Sequence, residues 1–364
     1  MRPVGILIPL TLASASAAAC DRTPEPKRAS DTASSAPARA PSQPAVVDSS
    51  RAREPEVADY RFPSRPRLVA IGDIHGDLSA LRRALRLAGA IDSEDTWIGK
   101  DLTVVQTGDQ VDRGDQDREV LDLLEKLERD APKSGSELRV LNGNHELMNA
   151  GFDFRYVTAK SFRSFGEFAH RAPVAASALP TDERGRAAAF APGGTYALKL
   201  AQHLTVAVVG DTLFAHGGVL PAHVDYGLSR INREAQAFLS GKSPQLPAVL
   251  SGEDSPVWTR AYGSPELDPA ICEALGRVLQ GIGAKRLVVG HTVQKGGISS
   301  ACQERVFRID VGLSAYYGDR PAQVLELTKT GARVLDAASE RPAPEREQGL
   351  RARDGSAPRD SALH

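Results

Sequence analysis

The chain has 364 residues, 41% of them hydrophobic, which is enough for one large or two ordinary domains with a sizeable core. Its 45 Lys and Arg balance 46 Asp and Glu, leaving a formal charge of −1. That excludes a global field favouring nucleic acid or an anionic membrane, so no nucleic-acid partner is expected and any taste for a charged ligand must be local.

Residues 1–20, "MRPVGILIPLTLASASAAAC", place one early Arg2, an apolar stretch from Val4 to Leu12 and small residues before Cys20. This is the layout of a secretory signal peptide, too short to span a bilayer. Cys20 after three alanines resembles the lipobox of bacterial lipoproteins, whose cysteine is lipidated and becomes the new N-terminus. The box usually carries Leu where this chain has Ala17. Asp21 resembles an inner-membrane retention signal of some Gram-negative bacteria. The expectation is therefore an exported, periplasmic lipoprotein tethered to the membrane through Cys20. Residues 21–60 are rich in Pro, Ser, Ala and charge and poor in large apolar residues, which predicts a disordered tether. Residues 339–364 have the same character and are expected to be a disordered tail. One large folded domain over 61–338 remains, with no later run long and apolar enough to cross a membrane.

Within that domain, apolar strands alternate with amphipathic helices. "RLVAIGD" (67–73) ends at Asp73, after which Leu78, Leu81, Leu85 and Ala88 recur at helical spacing. "LTVVQTGD" (102–109) ends at Asp109, and Val120, Leu123, Leu124 and Leu127 predict the next helix. "ELRVLNGN" (137–144) ends at Asn144, and "HLTVAVVGDTLFAHGG" (203–218) predicts a hairpin that delivers His216. A helix around 269–280 precedes "RLVVGHT" (286–292), which ends at His291. "VFRID" and the pair "AQVLEL"/"ARVLD" supply the last strands. The pattern is α/β, with hairpins that point to a mixed-sheet sandwich.

Five strands thus end in Asp73 (with His75), Asp109, Asn144, His216 and His291. Ligands of α/β sheets bind beyond the carboxyl ends of strands, so these side chains are expected to converge. Asp, His and Asn suit divalent ions such as Mn²⁺, Fe²⁺ or Zn²⁺. A lone Asp in a "GD" turn is most often just a turn residue; five together are a metal site.

"GDIHGD", "GDQVDRG", "GNHE", "HGG" and "GHT", in that order, resemble the metallophosphoesterase superfamily. "DRG", and Val293 where broader members read G-H-x-H, resemble the phosphoprotein phosphatases more narrowly. "GNHELMNAGFDFRYV" and "VWTRAYG" are similar to the bacterial Shewanella-like protein phosphatases. The resemblance covers about residues 67–320. It implies the calcineurin-like four-layer sandwich, with mixed β-sheets flanked by helices. It also implies two divalent metal ions, one on Asp73, His75 and Asp109, the other on Asp109, Asn144, His216 and His291. His145 would be the general acid, Asp112 its orienting partner, Arg113 the phosphate clamp and Arg260 a second one. Arginine suits that role because its planar donors reach two phosphate oxygens together.

The implied activity is a binuclear metal-dependent phosphomonoesterase, in which a metal-bridging hydroxide attacks in line. Its expected substrate is a phosphoprotein or phosphopeptide bearing phosphotyrosine or phosphoserine/threonine. The alternatives are a dinucleoside polyphosphate hydrolase or another small-molecule phosphoesterase, and a binding lipoprotein without catalysis. His170, His203, His223 and His364 fall outside every motif and read as ordinary surface or satisfied histidines. Tyr316 and Tyr317 align with a family loop that carries a tyrosine near the site, and core packing is their other reading. "GKS" at 241–243 is no P-loop, because Gln236 stands where the first glycine belongs. Spacing leaves open whether Cys272 and Cys302 pair.

Overall fold

The strand of "RLVAI" is apolar at four consecutive positions, and Leu68, Val69, Ala70 and Ile71 are all buried, as in a strand covered on both faces. In the computed structural model, which describes residues 60–337 apart from 319, 329 and 330, this strand lies at the centre of a sheet. The expected signal peptide (1–20), the tether (21–60) apart from Tyr60, and the tail (339–364) lie outside the described residues.

The strands in chain order are β1 (Arg61–Phe62), β2 (Arg67–Ile71), β3 (Leu102–Gln106), β4 (Glu137–Val140), β5 (Val206–Val209) and β6 (Thr212–Ala215). They continue with β7 (Arg286–Val289), β8 (Ser299–Ala301), β9 (Val306–Arg308), β10 (Gln323–Thr328) and β11 (Gly331–Asp336). One sheet has the order β11-β10-β2-β3-β4, with β2, β3 and β4 parallel and the β10–β11 hairpin antiparallel. The other has the order β1-β5-β6-β7-β9-β8, in which β6, β7 and β9 run parallel. The expected hairpin at 203–218 is β5–β6. β1 and β8, two and three residues long, carry too short a pattern to have been foreseen.

Leu68, Ala70, Val105 and Leu141 of the first sheet pack against Ala207, Val209, Phe214, Val288 and Phe307 of the second, so the two sheets lie face to face. On the outer face of the first sheet, Val69, Ile71 and Val104 meet the helices α1 (Leu78–Leu87) and α2 (Asp117–Asp130). α1 buries Leu78, Ala80, Leu81, Ala84 and Leu85, one apolar stripe, and Asp77 caps it by accepting from Ala80 N at 2.8 Å. The second sheet is covered outside by helices Leu228–Leu239 and Pro269–Ile282. The helix–sheet–sheet–helix stack is the expected four-layer sandwich with mixed sheets. Cys272 and Cys302 form a disulfide, which ties helix Pro269–Ile282 to the turn after β8. Among the described residues no helix is long and apolar enough to cross a membrane.

Candidate metal centre

The loops after β2, β3, β4, β6 and β7 carry Asp73 with His75, Asp109, Asn144, His216 and His291, and these side chains lie close together. Asn144 opens the short helix α3 (Asn144–Ala150). The turns are tight. His75, Asp109, Asp112, Arg113 and His291 have φ of 49°, 55°, 71°, 67° and 65°. For residues other than glycine that left-handed region costs on the order of 1–2 kcal/mol each, so tertiary contacts must hold them there. Ile74 N and His75 N both donate to the Asp109 carbonyl, at 3.0 and 2.9 Å, lashing the first two loops together. A side chain at Gly143 or Gly290 would collide with the carboxylates of Asp109 and Asp73 respectively.

Asp109 is the shared member of two groups of donor atoms that lie within 4.8 Å of one another: His75, Asp109 and His145, and Asp109, His216 and His291. Its Oδ2 stands 3.2 Å from His216 Nε2 and 3.7 Å from His75 Nε2. His216 Nε2 also lies 2.9 Å from Asn144 Oδ1 and 3.2 Å from His291 Nδ1. Asp73 is 3.9 Å from both His75 Nε2 and His216 Nδ1, and its oxygens accept from His291 N at 3.2 Å.

Hydrogen bonds behind the cluster decide which lone pairs face inward. His75 Nδ1 donates to the Val111 carbonyl at 3.1 Å and His216 Nδ1 to the Thr107 carbonyl at 3.0 Å. Each Nε2 is thereby left as an acceptor facing Asp109. Burial, then His145 and Arg113, holds the His75 imidazole well below its usual range, although Asp109 opposes this. Burial and His216 do the same to His291, whose Nε2 is buried with no hydrogen-bond partner among the described residues. Burial, Asp310 and Asp109 push Asp73 well above the usual carboxylate range. Burial would raise Asp109 too, but the His216 and His145 imidazoles outweigh it and hold it well below. Imidazoles, carboxylates and one amide oxygen, converging on a buried spot, fit borderline divalent cations.

His145, next in chain to Asn144, donates through Nδ1 to Asp112 Oδ2 at 2.6 Å, and its Nε2 lies 3.8 Å from Asp109 Oδ2. Burial pulls this imidazole down, yet Asp109 and the bond to Asp112 more than compensate and leave it raised. The other oxygen of Asp112 accepts from Asn149 Nδ2 and Arg186 Nη2, both at 2.9 Å. Arg186, fully buried, also meets Asp117 Oδ2 at 2.7 Å and donates to Ser161 Oγ at 2.8 Å and Asn149 Oδ1 at 2.6 Å.

Sequence reasoning missed Arg186, Asn149 and Asp117, and nothing local marks Arg186 beyond a lone charge in an Ala-rich stretch. It missed Glu146 as well, though that residue stands in "GNHE". Its carboxylate accepts from the backbone N–H groups of Asp109, Gln110 and Gly143 at 2.9, 2.8 and 2.6 Å, and burial with Asp109 raises its pKa to about 7. Asp310 after β9 is a further buried carboxyl nearby, raised by burial to about 6, with Oδ2 unpartnered among the described residues.

Arg113 is half-buried at the mouth, donating to His75 Nε2 and Tyr317 Oη. Its guanidinium lies 5.2, 5.8 and 5.5 Å from the rings of Tyr156, Tyr316 and Tyr317. Tyr156 and Tyr316 are 38% and 62% exposed, so Tyr316 is not a core residue. Arg260 is exposed and has no ion pair among the described residues; it donates to the His291 carbonyl and Thr292 Oγ1, both at 3.0 Å. His203 meets Glu128 at 3.2 Å, His223 accepts from Leu220 N, and His170 meets the Glu167 carbonyl, all away from the cluster. His364 lies outside the described residues.

The family model described as calcineurin-like phosphoesterase matches residues 66–295. Shewanella-like protein phosphatase 2 of Arabidopsis thaliana is 39% identical over 312 residues, 77% of this chain and 80% of the relative. Shewanella-like protein phosphatase 1 of Plasmodium berghei (strain Anka) is 31% identical over 259 residues, 69% of this chain and 68% of the relative. The solved structure of a cold-active protein tyrosine phosphatase superposes with a TM-score of 0.62 at 25% identity, covering 76% of this chain and 77% of that one.

Proposed function

This chain belongs to the calcineurin-like phosphoesterase family and is a metal-dependent phosphoester hydrolase, and from that premise we propose that it removes phosphate from phosphotyrosine in proteins. The carrying observation is the frame around Arg113, whose guanidinium lies 5.2 and 5.8 Å from two exposed tyrosine rings, Tyr156 and Tyr316: acting as a phosphate clamp there, it would offer an aryl phosphate both an ionic and an apolar contact. The names of the relatives, two protein phosphatases and a tyrosine phosphatase, agree with this reading.

Asp73, His75 and Asp109 would hold one divalent ion, and Asp109, Asn144, His216 and His291 the other; Mn²⁺ is the proposed metal. When bound, such ions supply Lewis-acid charge to the phosphate and activate water for in-line attack. The protein's own groups do the rest. Arg113, with Arg260 beside His291, binds phosphate oxygens and orients the ester. His145 Nε2 carries the proton that the leaving oxygen takes. Asp112 holds the opposite nitrogen protonated and the ring aimed, and its charge favours the imidazolium.

Paired phosphotyrosine and phosphoserine peptides of one sequence, with diadenosine tetraphosphate as a third substrate and Mn²⁺ present, test the proposal. Each aromatic contact is worth about 0.5–1.5 kcal/mol, so roughly a 2- to 10-fold preference per ring is expected for phosphotyrosine. Equal rates on the two peptides, or a preference for the dinucleotide, overturn it. We also propose that the chain is exported to the periplasm and held at a membrane by lipid on Cys20, on the strength of residues 1–21 alone.

A further inference from the structure

Beside the metal centre, on the His291 side, a cleft of about 630 Å³ opens between the segment that carries Arg260 and the loop after β7. Among the described residues its walls contain three cations, Arg260, Lys295 and Arg308, and no carboxylate. In a chain whose acidic and basic residues are almost equal in number, that is a pronounced local excess. None of the three has an ion pair among the described residues. Lys295 is exposed. Arg308 is buried at 4% exposure and among the described residues is held by neutral acceptors alone: Ser299 Oγ at 3.0 Å and the carbonyls of Ser264, Pro265 and Ser300. A buried guanidinium without a counter-charge is costly, and an anion in the cleft would lower that cost.

The cleft is built before any ligand arrives. Gln294 Nε2 donates to the Gly263 carbonyl at 3.1 Å and to the Thr292 carbonyl at 2.8 Å, pinning one wall to the other. Arg260 belongs both to this wall and to the phosphate site, since it grips the His291 carbonyl. A peptide whose phosphate reaches the metals and whose chain runs along the His291 side would lay its neighbouring residues over the three cations. We propose that the cleft is a subsite for an acidic side chain, Asp or Glu, of the substrate protein. That side chain lies within about two to four residues of the phosphorylated one, at roughly 3.3 Å of extended chain per residue. The inference rests on the phosphoprotein reading above.

The test compares phosphopeptides of one sequence whose flanks are Glu, Gln, Lys or a second phosphoserine, on the full chain and on Lys295→Glu and Lys295→Gln. For the wild type, the Glu peptide should exceed the Gln peptide by about 5- to 30-fold in kcat/KM at low salt, mostly through KM, and the gap should close in high salt. That ratio should shrink in Lys295→Gln and approach one or invert in Lys295→Glu. Lys295 is exposed, and matching circular dichroism of the variants guards against misfolding. A Glu-to-Gln ratio of one in the wild type, with both peptides hydrolysed, overturns the subsite and leaves the phosphatase reading intact. A gain only from the second phosphoserine overturns the carboxylate in favour of phosphate. No hydrolysis of any peptide, with other phosphoesters cleaved, overturns both readings.

Discussion

The guanidinium of Arg186 and the imidazole of His145 hold opposite oxygens of one carboxylate: Asp112 Oδ1 accepts from Arg186 at 2.9 Å and Oδ2 from His145 at 2.6 Å. With both oxygens engaged, the carboxylate cannot swing, and the imidazole it orients keeps one direction. Asp112 also sits at φ 71°, so both the backbone and the side chain of this residue are over-determined.

Among the described residues, replacing that arginine removes the one cation paired with Asp117 and the one besides His145 paired with Asp112, both carboxylates being fully buried. Arg186→Met is expected to destabilise the fold by about 3–5 kcal/mol, the cost of leaving buried charges unpaired. Urea denaturation measures it, and a loss under about 1 kcal/mol would show that the pairs are dispensable.

His145→Asn should keep the bound metals and lower turnover by about 10²–10⁴-fold, the span of general acid catalysis. The loss should be larger for alkyl phosphates than for p-nitrophenyl phosphate, whose leaving group departs without much protonation. Because the acid must be protonated, wild-type kcat should fall on the alkaline side. Equal losses across leaving groups remove His145 from the acid role.

Asp109→Asn weakens the one residue common to both clusters of donors. Metal analysis should find both ions depleted together, along with nearly all activity. Two retained ions and near-normal turnover would mean that Asp109 is not shared.

The Cys272–Cys302 bond closes a loop with a sequence separation of 30. Loop-closure entropy puts its contribution at about 3–4 kcal/mol, so Cys302→Ser should lower the thermal midpoint while leaving kcat on small phosphoesters near wild type. Identical midpoints with and without reductant would argue that the bond does not form in solution.

Lipid on Cys20 is tested outside the folded domain. Cell fractionation should find the wild type with membranes and Cys20→Ser in the soluble fraction, with unchanged catalysis. Two acyl chains give stable anchoring, at about 0.8 kcal/mol per buried CH₂, whereas one is marginal. Mass analysis that finds Cys20 unmodified leaves only a cleaved leader.

By itself the sequence determined every described strand but β1 and β8, the helices after β2 and β3 and the one before β7, and the six residues at the strand ends; it did not mark helix Leu228–Leu239. These signals are local: an apolar run of four to six residues, a polar residue after it, a 3.6-residue stripe. It also marked His145, Asp112 and Arg113, because they neighbour those ends in the chain. Only the tertiary structure decided who stands behind them. Arg186 is 74 residues from Asp112, and Glu146 reaches back 37 to Asp109, so neither pairing has a spacing to read. The same holds for the cleft, where Arg260, Lys295 and Arg308 come from three separate segments and meet only through packing. A charge buried with partners and a charge in water look alike in sequence. Their difference lies in long-range burial and in which side chains share a dry pocket, which no local pattern encodes.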